Sequence, residues 1–268
     1  MKKIPAIIII STFIFGCQKS DRDLDTALNS ATDNAFASNI TFHIFKIIDE
    51  ASKNTLGIPA QNPASPLVSL YGCDTIVSDT NASPMNMYID FGSSCTTNGR
   101  NYSGIINANF NGKYNIPGSS VNINFLNYYF SGYSIYGNMT INCQNPSSNG
   151  SVFNITTNNL TALASNGKQL SFTANFIYER IEGDTSFTAT DDAYLVSGSA
   201  SGYSFLGNSF TSNITSNIRF EYGCKWMISG NEEVTPLSKS VRKVDYGSGC
   251  DNAFTIDING TVYDSTIP

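Results

Sequence analysis

The segment Leu170-Ser171-Phe172-Thr173-Ala174-Asn175-Phe176-Ile177-Tyr178 decides the fold class. Leu170, Phe172, Ala174, Phe176 and Tyr178 place an apolar side chain at every second position. Successive side chains of a pleated strand point to opposite faces, so this segment reads as a strand with one buried and one wet face. The alternation recurs in both directions. Tyr102, Ile106, Ala108 and Phe110 alternate with Ser103, Asn107 and Asn109, and Val121, Ile123 and Phe125 with Asn122 and Asn124. Phe220, Tyr222, Cys224, Trp226 and Ile228 predict another strand, and Phe254, Ile256, Ile258 and Val262 close the series. Asn111-Gly112, Pro117-Gly118, Asn149-Gly150, Asn166-Gly167 and Asn259-Gly260 lie between these runs and supply turn residues that tolerate unusual backbone angles. Many strands joined by tight turns, with no helices between them, predict a mainly β domain over residues 67–268: an antiparallel sandwich, barrel or roll.

Upstream the period changes. Ile40, Ile44, Ile47, Ile48 and Ala51 recur at helical spacing, with Phe36 one turn earlier, predicting one helix within 24–54. Gly57, Pro59, Pro63 and Pro66 end it and mark a linker over 55–66.

The first residues read as an export signal. Met1, Lys2 and Lys3 give a positive start, and Ile4–Phe15 form an apolar run with only Ser11 and Thr12 polar. That run is too short for a bilayer core, which needs roughly 20 residues, and it suits a signal peptide over 1–16. The junction Ile14-Phe15-Gly16-Cys17 resembles the lipobox of bacterial lipoproteins, with a bulkier Phe15 than usual. The resemblance implies lipid on Cys17, a membrane as partner, and more than one acyl chain for stable anchoring. Gln18 replaces the Asp that marks inner-membrane retention in many such lipoproteins. Lys19 with Asp21 and Asp23 resembles the surface-export signal of Bacteroidota lipoproteins, making 17–23 a lipidated tether. The expected address is the outer membrane, facing the exterior.

Charged residues make up only 13% of the chain and the net charge is −6. Nucleic acid is not an expected partner, because phosphate binding needs a basic stripe. Six cysteines are present. Cys17 is assigned to lipid, and the other five face an oxidising compartment where disulfides persist. Tyr71-Gly72-Cys73 precedes Asp90-Phe91-Gly92-Ser93-Ser94-Cys95, and Tyr222-Gly223-Cys224 precedes Asp245-Tyr246-Gly247-Ser248-Gly249-Cys250. The two copies, 71–95 and 222–250, each read as strand, loop and strand. Each copy predicts its own bridge, Cys73–Cys95 and Cys224–Cys250, contributing about 3 kcal/mol. Cys143 shares parity with Ile135, Met139 and Ile141 and is expected in the core as an inert thiol.

These motifs, with Gly99-Arg100, Tyr102-Ser103-Gly104-Ile105, Pro117-Gly118, Asn127-Tyr128-Tyr129, Glu182-Gly183-Asp184-Thr185, Asp191-Asp192 and Cys250-Asp251, resemble those of a large group of β-rich Bacteroidota lipoproteins. The resemblance spans most of 70–265. It implies an address and a scaffold, and no catalytic residue.

Chemistry-bearing patterns are sparse. His43 is the one histidine, and no Gly-x-Ser-x-Gly elbow or Cys-x-x-Cys motif occurs. A Cys/His zinc site is therefore not expected. Asp21, Asp23 and Asp25 imitate the start of a calcium loop, but Thr26 and Thr32 stand where Gly and Glu are required. No metal, cofactor or catalytic residue is assigned. Two readings compete with a non-enzymatic binding or structural role. Tyr128, Tyr129, Tyr133 and Tyr136 offer a stacking platform for a glycan, as in an accessory carbohydrate-binding lipoprotein. Glu179, Glu182, Asp184, Asp191 and Asp192 form an acidic loop that would run glycoside hydrolysis if two acids stood about 5 to 9 Å apart. Glycans and other surface proteins are thus the expected partners besides the membrane.

Overall fold

The computed structural model describes residues 25–55, 69–79, 81–183 and 189–268. The signal segment, Cys17 with its tether to residue 23, and linker residues 56–66 lie outside the described residues. Helix α1 spans Asn29–Thr55. The strands are β1 Thr75–Asp79, β2 Met85–Asp90, β3 Cys95–Thr97, β4 Arg100–Asn111, β5 Ser120–Phe130, β6 Tyr133–Cys143 and β7 Val152–Ala164. They continue as β8 Gln169–Glu182, β9 Ala193–Tyr203, β10 Ser209–Glu221, β11 Ser229–Pro236, β12 Arg242–Ser248, β13 Ala253–Ile258 and β14 Thr261–Thr266. All fourteen form one sheet in chain order, with β2 beside β4 and β3 pairing β4 off the main path. Every pairing is antiparallel. The mainly β architecture with an N-terminal helix is the one that the alternating pattern predicts.

The helix is the core of this sheet. From Ser30 to Lys53 only Thr32, Lys46 and Glu50 keep partial exposure. The Ile40, Ile44, Ile47 and Ile48 stripe is buried as its spacing predicts, but so are the remaining faces. Phe36 packs on Tyr133 of β6 at 4.7 Å, Phe42 on Phe220 of β10 at 4.0 Å, and Phe45 edge-on against Tyr178 of β8 and Tyr194 of β9. A 27-residue helix is about 40 Å long, and strands of 11–14 residues extend roughly 36–48 Å. The lengths match, so one layer of strands covers the whole helix.

To do so the sheet rolls. β4 and β10 lie six strand spacings apart in the pairing order, roughly 29 Å across a flat sheet. Yet Arg100, at the start of β4, donates to the carbonyl of Lys225 just after β10 at 3.1 Å. The bending is built from glycine and asparagine. Gly104, Gly137, Gly198 and Gly230 all have positive φ. A Cβ on each would stand 2.1–2.6 Å from the backbone oxygen of Asn127, Asn159, Asn175 and Asn217 respectively. Asn127 and Asn159 are themselves left-handed, both with φ 49. Pairing register shifts at Gly104, Asn127, Gly137, Asn159 and Asn217. A bulge adds a residue to one strand and bends it, so a line of bulges creases the sheet around the helix.

Both predicted disulfides are present, with Cα–Cα distances of 5.4 Å for Cys73–Cys95 and 5.6 Å for Cys224–Cys250. Cys143 is free and buried. Each bridge closes the strand-loop-strand unit expected of its copy, the β1–β2 hairpin in the first and β11–β12 in the second. The strand expected over 220–228 ends early: β10 stops at Glu221. Tyr222 and Cys224 turn away to place their carbonyls within reach of the Lys46 ammonium.

Candidate functional site

Near the C-terminal end of α1 an ionic cluster joins helix to sheet. Asp49 accepts from Tyr114 at 2.6 Å and Arg180 at 3.1 Å on one oxygen, and from Tyr194 at 2.9 Å on the other. Lys53, one turn on, lies 3.3 Å from Asp49 and bonds Asp192 directly. Arg180 reaches Asp192 at 3.7 Å. All four charged side chains are at most 8% exposed. Two carboxylates and two cations cancel, which is what makes burial of four charges tolerable. Burial pushes the Asp49 carboxyl up, but Lys53, Arg180 and the two tyrosines outweigh it and hold it below its usual range. At Asp192 burial wins over Arg180 and Lys53, and its pKa is pushed up to about 6.

A second buried acid lies toward the N-terminal end. Glu232 of β11 accepts from Asn34 at 2.7 Å and from the Tyr246 hydroxyl, and its other oxygen is unpartnered. Burial drives its pKa to about 7, against those two hydrogen bonds. Asp33, bonded by the Phe205 amide at 2.8 Å, is raised by burial to about 6. Arg242 of β12 grips the chain entering the helix, donating to the carbonyls of Asp25 and Ala27 at 3.1 and 3.2 Å.

His43 is a packing residue. Its ring stacks on Phe130 at 4.3 Å, beside Arg100, and burial together with Arg100 and Lys46 holds it neutral. Cys143 is also held neutral: burial raises its thiol pKa, which suppresses the thiolate.

The four tyrosines do not assemble into a platform. Tyr128 is 1% exposed and packs on Phe125 and Phe91 inside the roll. Tyr133 turns inward onto Phe36 and Phe205. Tyr129 is half-buried and only Tyr136 is well exposed. The cause is the bulge at Asn127: Val121 and Ile123 face the core on odd positions, and Tyr128 and Phe130 face it on even ones.

The acids of the acidic loop are taken up by separate partners. Glu182 pairs with Arg219 at 2.8 Å, Glu179 accepts from Asn149 at 3.0 Å, and Asp191 is exposed. Asp192 is sealed in the ionic cluster, and Asp184 lies outside the described residues. Among the described residues no three His, Cys, Asp or Glu side chains gather as metal ligands. A groove of about 830 Å³ runs along β12–β14, lined by Asp245, Asp251 and Asp264. Two of those acids are engaged as turn caps, Asp245 on the Gly247 amide and Asp251 on the Ala253 amide.

Sequence reasoning missed the outward face as a unit. Register neighbours Asn109, Asn122, Thr140, Thr156, Asn175 and Ser199 run in one row across β4–β9. Asn107, Asn124, Asn138 and Asn158 form a second row. Thr140 bonds Asn122 at 3.1 Å and Asn154 bonds Asn175 at 2.6 Å. The signal was present as Asn, Thr and Ser at the polar positions of β4–β9. Comparison with protein-family models, curated proteins and solved structures finds no match to this chain.

Proposed function

We propose that this protein is a lipid-anchored outer-membrane surface protein with a non-enzymatic binding or structural role. The observation that supports this most is where the polar chemistry goes. Asp49, Lys53, Arg180, Asp192, Glu232 and His43 are all spent on seating the helix in the sheet. Catalysis needs an acid, base or nucleophile within reach of a substrate, and these groups face the interior. The signal-like start, Cys17 and the Lys19, Asp21, Asp23 tether support the address.

The test is fractionation of cells carrying wild type and Cys17→Ser, combined with whole-cell proteolysis. The expected result is that Cys17→Ser leaves the membrane fraction and that protease removes the wild-type domain without lysis. Unchanged retention and processing of Cys17→Ser would overturn the anchor, and full protection from protease would place the domain inside. A turnover screen of the mature protein on glycan and peptide libraries tests the non-enzymatic role. Turnover abolished by Asp192→Asn with the fold intact would return the hydrolase reading.

The uncharged rows on the outer face favour a second reading, an accessory carbohydrate-binding lipoprotein. Amide and hydroxyl side chains at strand spacing form a lattice of neutral donors and acceptors suited to a polyhydroxylated polymer. Loss of polysaccharide binding in Asn124→Ala/Asn138→Ala, with stability unchanged, is the expected sign of it.

A further inference from the structure

We propose that one end of the roll, built from the β9–β10 turn, the β11–β12 turn and the start of β14, is a docking surface that lies flat against the lipid bilayer carrying the Cys17 anchor. The proposal rests on the lipoprotein reading above and adds an orientation and a contact surface to it.

Two independent observations meet at this end. The first is a concentration of exposed apolar side chains. Leu237 is 75% exposed, Val262 62%, Tyr203 58% and Leu206 44%, with Val241 at 36%. Scattered exposed apolar residues are ordinary, but contiguous ones mark contact surfaces. These are contiguous. Tyr203 pairs opposite Ser209, and the Leu237 amide donates to the Ser209 carbonyl at 3.0 Å. Val241 lines a small hollow with Asn259 and Gly260, two residues from Val262. Leu237 and Leu206 sit in the turns between β11 and β12 and between β9 and β10.

The second observation is where the chain enters. The Asp25 carboxylate accepts from the Ser240 amide at 3.1 Å and its hydroxyl at 3.2 Å, and Arg242 holds the Asp25 and Ala27 carbonyls. Residue 25 is therefore fastened between Leu237 and Arg242. Seven residues, 18–24, separate it from Cys17, so eight Cα–Cα steps join the two and span at most about 29 Å. A lipid on Cys17 keeps Ser240, and with it the apolar turns, within that distance of the bilayer. Lys239 and Lys243 flank the same turn, and long cationic side chains suit the phosphate level of a headgroup layer while apolar tips enter the acyl boundary. Each buried apolar side chain adds favourable transfer energy. The outward Asn and Thr rows then face sideways, free for a partner.

Trp226 is the one native tryptophan, so depth is read by tryptophan substitution. Leu237→Trp, Leu206→Trp and, on the lateral face, Leu126→Trp are made in the full chain, purified from membranes and placed in vesicles with and without brominated phosphatidylcholine. All three sites are exposed, so the fold tolerates the change. The expected result is that the introduced tryptophans at 237 and 206 lose emission to the bromines, because an interfacial apolar face sits about 5–10 Å into the headgroup–acyl boundary, while that at 126 loses none. Equal quenching at all three sites, or at none, would overturn the proposal. Intact-mass measurement of the same samples reports lipid on Cys17 separately. If Cys17 carries none, a maleimide phospholipid coupled to its thiol supplies the anchor, and the quenching pattern still decides the docking surface.

Discussion

Gly137 on β6 lies so close to Asn159 on β7 that a Cβ there would stand 2.4 Å from the Asn159 carbonyl oxygen. That approach sets the crease of the sheet at β6–β7. Gly137→Ala adds both a clash and a side chain at φ +97, and the expected loss is about 3 kcal/mol or more. Gly167 has φ +81 but open space around it, so Gly167→Ala is expected to lose only about 1 kcal/mol. Urea unfolding of the two variants compares them directly. Equal losses would show that the close approach does not matter.

Arg180 is the cation that both Asp49 and Asp192 share. Arg180→Met leaves two buried carboxylates with Lys53 alone, and the expected cost is about 3–5 kcal/mol. Adding Asp192→Leu to that variant restores neutrality and is expected to recover part of the loss. A double-mutant cycle by chemical denaturation measures the coupling. Simple additivity of the two losses would mean that the groups do not act together.

Stability is expected to fall as pH rises from about 5 to 7. Glu232, at about 7, and Asp33 and Asp192, each at about 6, are all raised above the ordinary values of 4.5 and 3.8 by burial. Between those limits the folded state holds protons that the unfolded chain has released, so folding weakens with rising pH. Glu232 alone contributes on the order of 3 kcal/mol across its window. Asp49, held low, acts oppositely and only below its usual range. Glu232→Gln is expected to flatten the slope of denaturation midpoint against pH, and an unchanged slope would remove Glu232 from this account.

Each disulfide fastens a hairpin. Cys224→Ala/Cys250→Ala is expected to lower stability by about 3 kcal/mol and to loosen the contact of Arg100 with the Lys225 carbonyl. Non-reducing peptide mapping should recover Cys73 with Cys95 and Cys224 with Cys250. In Cys17→Ser the Cys143 thiol should resist a disulfide reagent until the protein is unfolded, because it is buried with its thiolate disfavoured. Rapid native modification would show that the roll opens there.

The sequence by itself determined the fold class, the helix and the disulfide pairing. A period of two in Leu170–Tyr178, a helical stripe from Ile40 to Ala51, and a duplicated cysteine spacing are local patterns, and local patterns survive without knowledge of neighbours. Tertiary structure decided the rest. One apolar stripe marked α1 as a helix, but only the roll of the sheet buried Asn34, His43, Asp49 and Lys53 on its other faces and gave them Glu232, Phe130, Arg180 and Asp192 as partners. The tyrosines offered a platform because they cluster in the sequence, but a bulge at Asn127, fixed by contact with Gly104 on the neighbouring strand, moves Tyr128 inside. Those partners lie 23 to 198 residues apart along the chain, from Gly104 with Asn127 to Asn34 with Glu232. No short-range period records which carboxylate, glycine or ring a distant strand will bring to them.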